Sequence, residues 1–163
     1  MIRFAVLFAA ALLMTGAAQA FYKPDLKKLK ALNGCEGCDL TGADLSEIHL
    51  ERVYLKGANL AGANLTNANL SFTNLTGADL SNADLWGAEL EGADLTGANL
   101  IRANLSEAAL NYANLYKANL TKADLTKADL TGVNLKDAYS IAGAKLCKTK
   151  TPWGIDNSGC KKK

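Results

Sequence analysis

Residues 58–100 read ANLAGANLTNANLSFTNLTGADLSNADLWGAELEGADLTGANL, with leucine at every fifth position. The register extends in both directions without a miss, from Leu40 to Leu135, giving twenty leucines in twenty consecutive steps. Two residues before each Leu stands a small residue, nearly always Ala, as at Ala43, Ala58 and Ala78; the exceptions are Cys38, Ile48, Val53, Thr73 and Val133. The residue just before Leu is usually Asp or Asn, and the two that follow are small or polar. A step of five rotates successive leucines by about 500° on a helix, scattering them around the axis. On a strand the odd step sends them to alternate faces. A solenoid remains, in which each pentad is one side of a coil and its Ala and Leu point inward. No pentad buries its own Leu, so stability comes from stacking coil on coil.

This A(D/N)LXX unit over residues 38–137 resembles the pentapeptide repeat family. The resemblance implies an all-β solenoid, a right-handed quadrilateral β-helix with four pentads per coil and about five coils. At roughly 4.8 Å per layer the tower would stand about 24 Å tall. The charges test the four-sided reading independently. In the third coil the position before Leu is acidic throughout (Asp79, Asp84, Glu89, Asp94). It is uncharged in the second coil (Asn59, Asn64, Asn69, Asn74) and in the fourth (Asn99, Asn104, Ala109, Asn114). Stacked carboxylates one layer apart would repel by about 1 kcal/mol in water and about 3–4 at an effective dielectric of 20. A twenty-residue coil alternates acidic and neutral layers, whereas a fifteen-residue coil would set Asp79 under Asp94.

The chain divides into four segments. Residues 1–20 carry Arg3, an apolar stretch from Phe4 to Met14, and Ala18-Gln19-Ala20, the pattern of a secretory signal peptide cut between Ala20 and Phe21. The apolar run is too short to span a bilayer, so no stable membrane span is expected after cleavage, and the destination is periplasmic or secreted. Residues 21–37 form an N-terminal cap: Pro24-Asp25, Leu26, Leu29 and Leu32, then Asn33-Gly34, suggest a short helix over the first coil. Residues 38–137 are the β-helix. Residues 138–163 are a Lys-rich C-terminal cap, where Ser140 replaces Leu and Leu146 arrives one residue late.

Four cysteines form two local pairs, Cys35 with Cys38 and Cys147 with Cys160, at opposite ends of the coils. Three pairings exist in principle; the end-to-end separation favours the two local ones as staples. The same separation disfavours a four-Cys zinc site. A Cys-x-x-Cys redox centre is the rival reading, although such centres normally sit at a helix start, and Cys38 here occupies an inward small position.

Other chemistry is sparsely represented. His49 is the only histidine and faces outward, and the aspartates lack the Gly-Gly-x-Gly-x-Asp arrangement of calcium-binding β-rolls. No catalytic residue, metal or cofactor is expected. Four large aromatics, Phe72, Trp86, Tyr112 and Tyr116, occupy outward positions after Leu, and Gly92 lies between Phe72 and Tyr112 as a notch in one column. They form the candidate contact surface. The lysines at 117, 122, 127, 145, 148 and 150 make the C-terminal end basic. Some proteins of this family mimic duplex DNA and bind gyrase, which calls for a strongly acidic cytoplasmic rod. Loss of Arg3 with the leader leaves 17 basic residues against 16 acidic, so gyrase binding and nucleic-acid partners are disfavoured. The expected function is a non-enzymatic structural or protein-interaction module of the cell envelope. Its partner would be a protein or another envelope component, and a homo-oligomer is compatible with the open coil ends.

Overall fold

The computed structural model describes residues 25, 28–29 and 34–160. The expected signal segment, including the cut between Ala20 and Phe21, lies outside the described residues. A single pentad explains why the chain turns so often. The Leu40 carbonyl accepts from the Ala43 N–H at 3.0 Å, closing a β-turn around Thr41 and Gly42. Gly42 has φ of 62°, the left-handed value that a type II turn requires at its third position. The bond recurs from Ala63 to Leu60 at 3.0 Å and from Ala98 to Leu95 at 2.9 Å. The Asp or Asn before Leu secures the same corner. Asn59 Oδ1 accepts from the Ala61 N–H at 3.2 Å, and Asp79 Oδ1 from the Ser81 N–H at 2.9 Å. Only a side chain this short reaches the N–H two residues ahead, so the position selects Asp and Asn.

Between corners, the remaining three residues are too few for a regular strand. Each side pairs with the next coil through a single residue, so the wall is built of isolated parallel bridges. They join residues twenty apart: Asp39 to Asn59, Asn59 to Asp79, and Asp79 to Asn99. Leu60 N–H donates to Asp79 O at 2.6 Å, and Asp79 N–H donates to Ala58 O at 2.9 Å. Asp79 therefore sits between two asparagines and not under Asp94. Four such columns define four sides, which we number from the side centred on Leu40, then Leu45, Leu50 and Leu55.

The alternation of acidic and neutral layers does more than separate like charges. Asn99 Nδ2 donates to Asp79 Oδ1 at 3.0 Å, Asn104 Nδ2 to Asp84 Oδ1 at 2.9 Å, and Asn64 Nδ2 to Asp44 Oδ1 at 3.1 Å. Each amide thus bonds the carboxylate one layer away. Inside, every Leu from Leu55 to Leu110 is fully buried beside its small partner. Where Thr73 replaces Ala, its hydroxyl donates to the Leu50 carbonyl at 2.6 Å, so the buried oxygen is satisfied.

At the C-terminal end a 3-10 turn over Leu135–Asp137, opened by Asn134, adds one residue to the coil. The columns then continue with a step of twenty-one: Asn119 to Ser140, Asp124 to Lys145, and Asp129 to Lys150. Ser140 therefore takes the place of an Asp or Asn, not of a Leu. Strand β1 (Thr149–Thr151) carries the third side onward, and β2 (Gly154–Asp156) folds back antiparallel on it. This covers an edge that would otherwise present bare backbone groups. At the other end the expected capping helix falls mostly outside the described residues. Asp25, Lys28 and Leu29 have helical backbone, but no bounded helix is defined there. Leu29 is buried in the core cluster, and Asp25 Oδ2 accepts from the Asp39 N–H at 2.9 Å.

Candidate functional site

The twenty-residue register fixes where each aromatic stands. Phe72 and Tyr112 share the corner that leaves the third side, in the column Arg52, Phe72, Gly92, Tyr112, Gly132. Trp86 stands on the corner leaving the second side, and Tyr116 on the corner leaving the fourth. These last two corners are diagonal to each other, so the four aromatics do not form one patch. Phe72, Trp86 and Tyr112 frame the third side, while Tyr116 faces away from it.

The expected notch at Gly92 is filled. A Cβ placed on Gly92 would lie 2.6 Å from Phe72 Cε1 and 2.7 Å from Cδ1, so the phenyl ring rests on the glycine of the next coil. Tyr112 repeats the arrangement on Gly132, where Cβ would meet ring carbons at 2.5 and 2.7 Å. A glycine corner has no side chain to cover its backbone, and a ring from the coil below supplies that cover, as in aromatic rescue of sheet glycines. Arg52 completes the column, its guanidinium 5.4 Å from the centre of the Phe72 ring. Only part of each aromatic is covered: Phe72 remains 49% exposed, Trp86 40% and Tyr112 66%.

One row of the third side presents a particular sequence of groups. The segment Trp86-Gly87-Ala88-Glu89-Leu90-Glu91-Gly92 buries Ala88 and Leu90 and exposes Trp86, Glu89 and Glu91. The Phe72 ring lies on its last residue. Among the described residues, neither Glu89 nor Glu91 has an ion-pair partner, whereas Glu107 is paired with Lys127 at 2.7 Å. Asn69 and Ala109 neighbour Glu89 in its column.

Two lysines of the basic C-terminal end are paired in place. Lys145 Nζ lies 2.9 Å from Asp124 Oδ2, and Lys150 Nζ lies 2.9 Å from Asp129 Oδ2. Partial burial pushes the Asp124 carboxyl upward, but the Thr126 hydroxyl, the Lys145 ammonium and the Thr126 N–H together hold it below the ordinary carboxylate range. Asp129 is lowered likewise, against burial, by Thr131 and Lys150.

Cys35 and Cys38 lie at disulfide distance with Cα atoms 5.5 Å apart, as do Cys147 and Cys160 at 4.6 Å. Cys35 is 1% exposed and Cys38 3%. His49 is an ordinary wall residue bridged to Asn69. Among the described residues no group of three His, Cys, Asp or Glu could hold a metal ion, and no helix is long and apolar enough to cross a membrane. Sequence reasoning missed Tyr54, Tyr139, Trp153 and Ile155, exposed by 58%, 77%, 65% and 61%. Tyr54 stands where Asp or Asn is usual, which was the available signal. The other three lie beyond the regular repeat, where the five-residue rule assigns no facing.

Comparison with known proteins bears on the whole ladder. The family profile described as "Pentapeptide repeats" matches in eight copies over residues 35–71, 73–111 and 98–137. Among solved structures, the pentapeptide repeat protein Rfr23 from the cyanobacterium Cyanothece 51142 is 34% identical, covering 75% of this chain and 92% of its own, with a TM-score of 0.56. The pentapeptide repeat protein alr5209 from Nostoc Pcc 7120 is 36% identical over 60% of this chain and 79% of its own, with a TM-score of 0.54. HetL from Nostoc sp. Strain PCC 7120, a pentapeptide repeat protein involved in heterocyst differentiation regulation, is 38% identical over 74% of this chain and 65% of its own, with a TM-score of 0.45. Comparison with curated proteins returned no match.

Proposed function

Because the chain belongs to the pentapeptide repeat family, whose members fold as right-handed quadrilateral β-helices, we propose that it is a non-enzymatic interaction module of the cell envelope working through its third side. The observation that carries this reading is the pair of aromatics on the corner leaving that side. Phe72 and Tyr112 have φ of 58° and 60°, a left-handed conformation that costs an L-residue roughly 1–2 kcal/mol. Gly92 and Gly132 build the same corner in the same column without that cost. The rings cover Gly92 and Gly132, yet about half or more of each remains exposed, and exposed large rings are suited to contact with something outside the chain.

Export by residues 1–20 accords with this role, and an oxidising compartment would allow Cys35–Cys38 and Cys147–Cys160 to form as bridges. Both would hold chain ends where stacking comes from one side only. The rival redox reading is disfavoured by the burial of Cys35 and Cys38, since exchange needs an accessible sulfur. A DNA-mimic role is disfavoured by the formal net charge of +2.

The test has two parts. Tagged full-length protein expressed in a bacterial host is fractionated, and the periplasmic or secreted fraction is expected to contain a product starting at Phe21. Immobilised protein is then exposed to envelope extract, with Trp86→Ala, Phe72→Ala and Tyr112→Ala as controls. Retention of the same envelope component by the parent and all three variants would exclude the third side as the contact surface, and uncleaved cytoplasmic protein would exclude export.

A further inference from the structure

The chemistry of the third side selects among partners, and we infer that its middle row receives lysine or arginine side chains of an extended segment from another protein. This rests on the third side being the contact surface. Along the row the exposed groups run Trp86, Glu89, Glu91 and then the Phe72 ring seated on Gly92. Aromatic faces attract ammonium and guanidinium groups through their quadrupole, and carboxylates attract them by charge. With the Phe72 face taken by Arg52, Trp86 and the two carboxylates after it offer three successive positions favourable to cations. An extended segment alternates its side chains between two faces, so one face can present successive Lys or Arg side chains to this row.

Of the cations already on this side, Arg52 occupies the Phe72 ring, and among the described residues none is ion-paired with Glu89 or Glu91. Arg52 lies over Phe72 beside Glu51, Lys127 is held by Glu107, and Lys150 is held by Asp129. Lys148 stands at the far C-terminal end, above Lys127. His49 is in the lowest layer of the side, Asp129 faces Lys150, and Glu47 adds a further exposed carboxylate near Trp86's corner. The middle row is therefore left with uncompensated negative charge, and a polybasic segment complements it. An anionic glycan or membrane surface would be repelled. The small neighbours Asn69, Ser71, Ala109 and Asn111 leave the approach to Glu89 and Glu91 low on both sides.

The probe is a decapeptide alternating Lys and Ser, with a Glu-Ser decapeptide as control. Binding is followed by Trp86 fluorescence in a Trp153→Phe background, since the chain has two tryptophans. Saturable binding of the Lys-Ser peptide is expected at low ionic strength, weakening as salt rises. The double variant Glu89→Gln/Glu91→Gln should weaken it about tenfold. A charge-matched control on the corner leaving the fourth side, Glu36→Gln/Asp137→Asn, should leave it unchanged. Circular dichroism of each variant establishes that the coil is intact. Equal binding by the two double variants, or saturable binding of the Glu-Ser peptide, would overturn the inference. So would a concentration-dependent dimer in sedimentation that Glu89→Gln/Glu91→Gln abolishes, because the occupant would then be a second copy. If envelope capture depends on Trp86 and Phe72 but not on Glu89 and Glu91, the inference fails while the third side stands as the contact surface.

Discussion

Replacing Gly92 with Ala separates two costs that the wall normally combines. Alanine at φ of 60° pays for the left-handed backbone, about 1 kcal/mol at the low end of the usual range. Its Cβ would also lie 2.6 Å from Phe72 Cε1, so the ring must leave. The ring is at the solvent boundary and swings outward, so the loss is its contact with Gly92 and not a steric wall. One ring face of roughly 40 Å² at about 25 cal/mol per Å² gives about 1 kcal/mol. Gly97 is the internal control, with φ of 66° and nothing within 4 Å of an added Cβ. Gly92→Ala should therefore destabilise by about 2 kcal/mol and Gly97→Ala by about 1. In a Phe72→Ala background the Gly92→Ala cost should drop to the Gly97→Ala value, a coupling of about 1 kcal/mol. Urea unfolding followed by circular dichroism measures all four quantities. Equal costs for the two glycines, or an unchanged Gly92→Ala cost without the Phe72 ring, would refute the stacking of ring on glycine.

Three further outcomes follow from the ladders and the ends. Asn99→Asp replaces the amide donor on Asp79 with a second carboxylate one layer away, and should cost about 1–3 kcal/mol at low salt, measured by urea unfolding and shrinking as salt is added. Asp124 and Asp129 are held below their ordinary value of 3.8 in the folded chain, so each stabilises the fold above that pH. The contribution is lost as pH falls through the lowered folded values. Amide protection factors over residues 139–151, taken relative to the intrinsic exchange rate at each pH, should fall on acidification below about pH 4, and Lys145→Met/Lys150→Met should reduce that dependence. With a sequence separation of 13 between Cys147 and Cys160, Cys147→Ser/Cys160→Ser should destabilise the oxidised protein by about 3 kcal/mol; an unchanged thermal midpoint would mean that the pair is no staple.

The pentad was legible in the leucines, whereas the four-sided register came from the family resemblance and, independently, from the alternating acids. Asp79 lies between Asn59 and Asn99, as charge spacing demanded. What the asparagines do there was less legible, because a ladder of amides on carboxylates and a local bond to the turn N–H draw on the same residue types. Facing could be read for Phe72, Trp86, Tyr112 and Tyr116 from position alone. Side-chain inclination could not, and it is inclination that lays Phe72 over Gly92 and closes the notch. The division of the aromatics among corners needed only counting by twenty, yet the sequence order of Phe72, Trp86, Tyr112 and Tyr116 hides that Trp86 and Tyr116 are diagonal. Past Leu135 the rule of five lapses, and Tyr139, Trp153 and Ile155 could be assigned no side.

The added residue in the turn over Leu135–Asp137 leaves Ser140, Lys145 and Lys150 aligned above Asn119, Asp124 and Asp129. Chain length and vertical alignment are thus decoupled at a bend, much as a hinge pin tolerates a spacer without shifting the door. Bends of this solenoid are consequently the places to splice in foreign segments: a short epitope between Lys136 and Asp137 would protrude sideways while the storeys on either side keep their stacking.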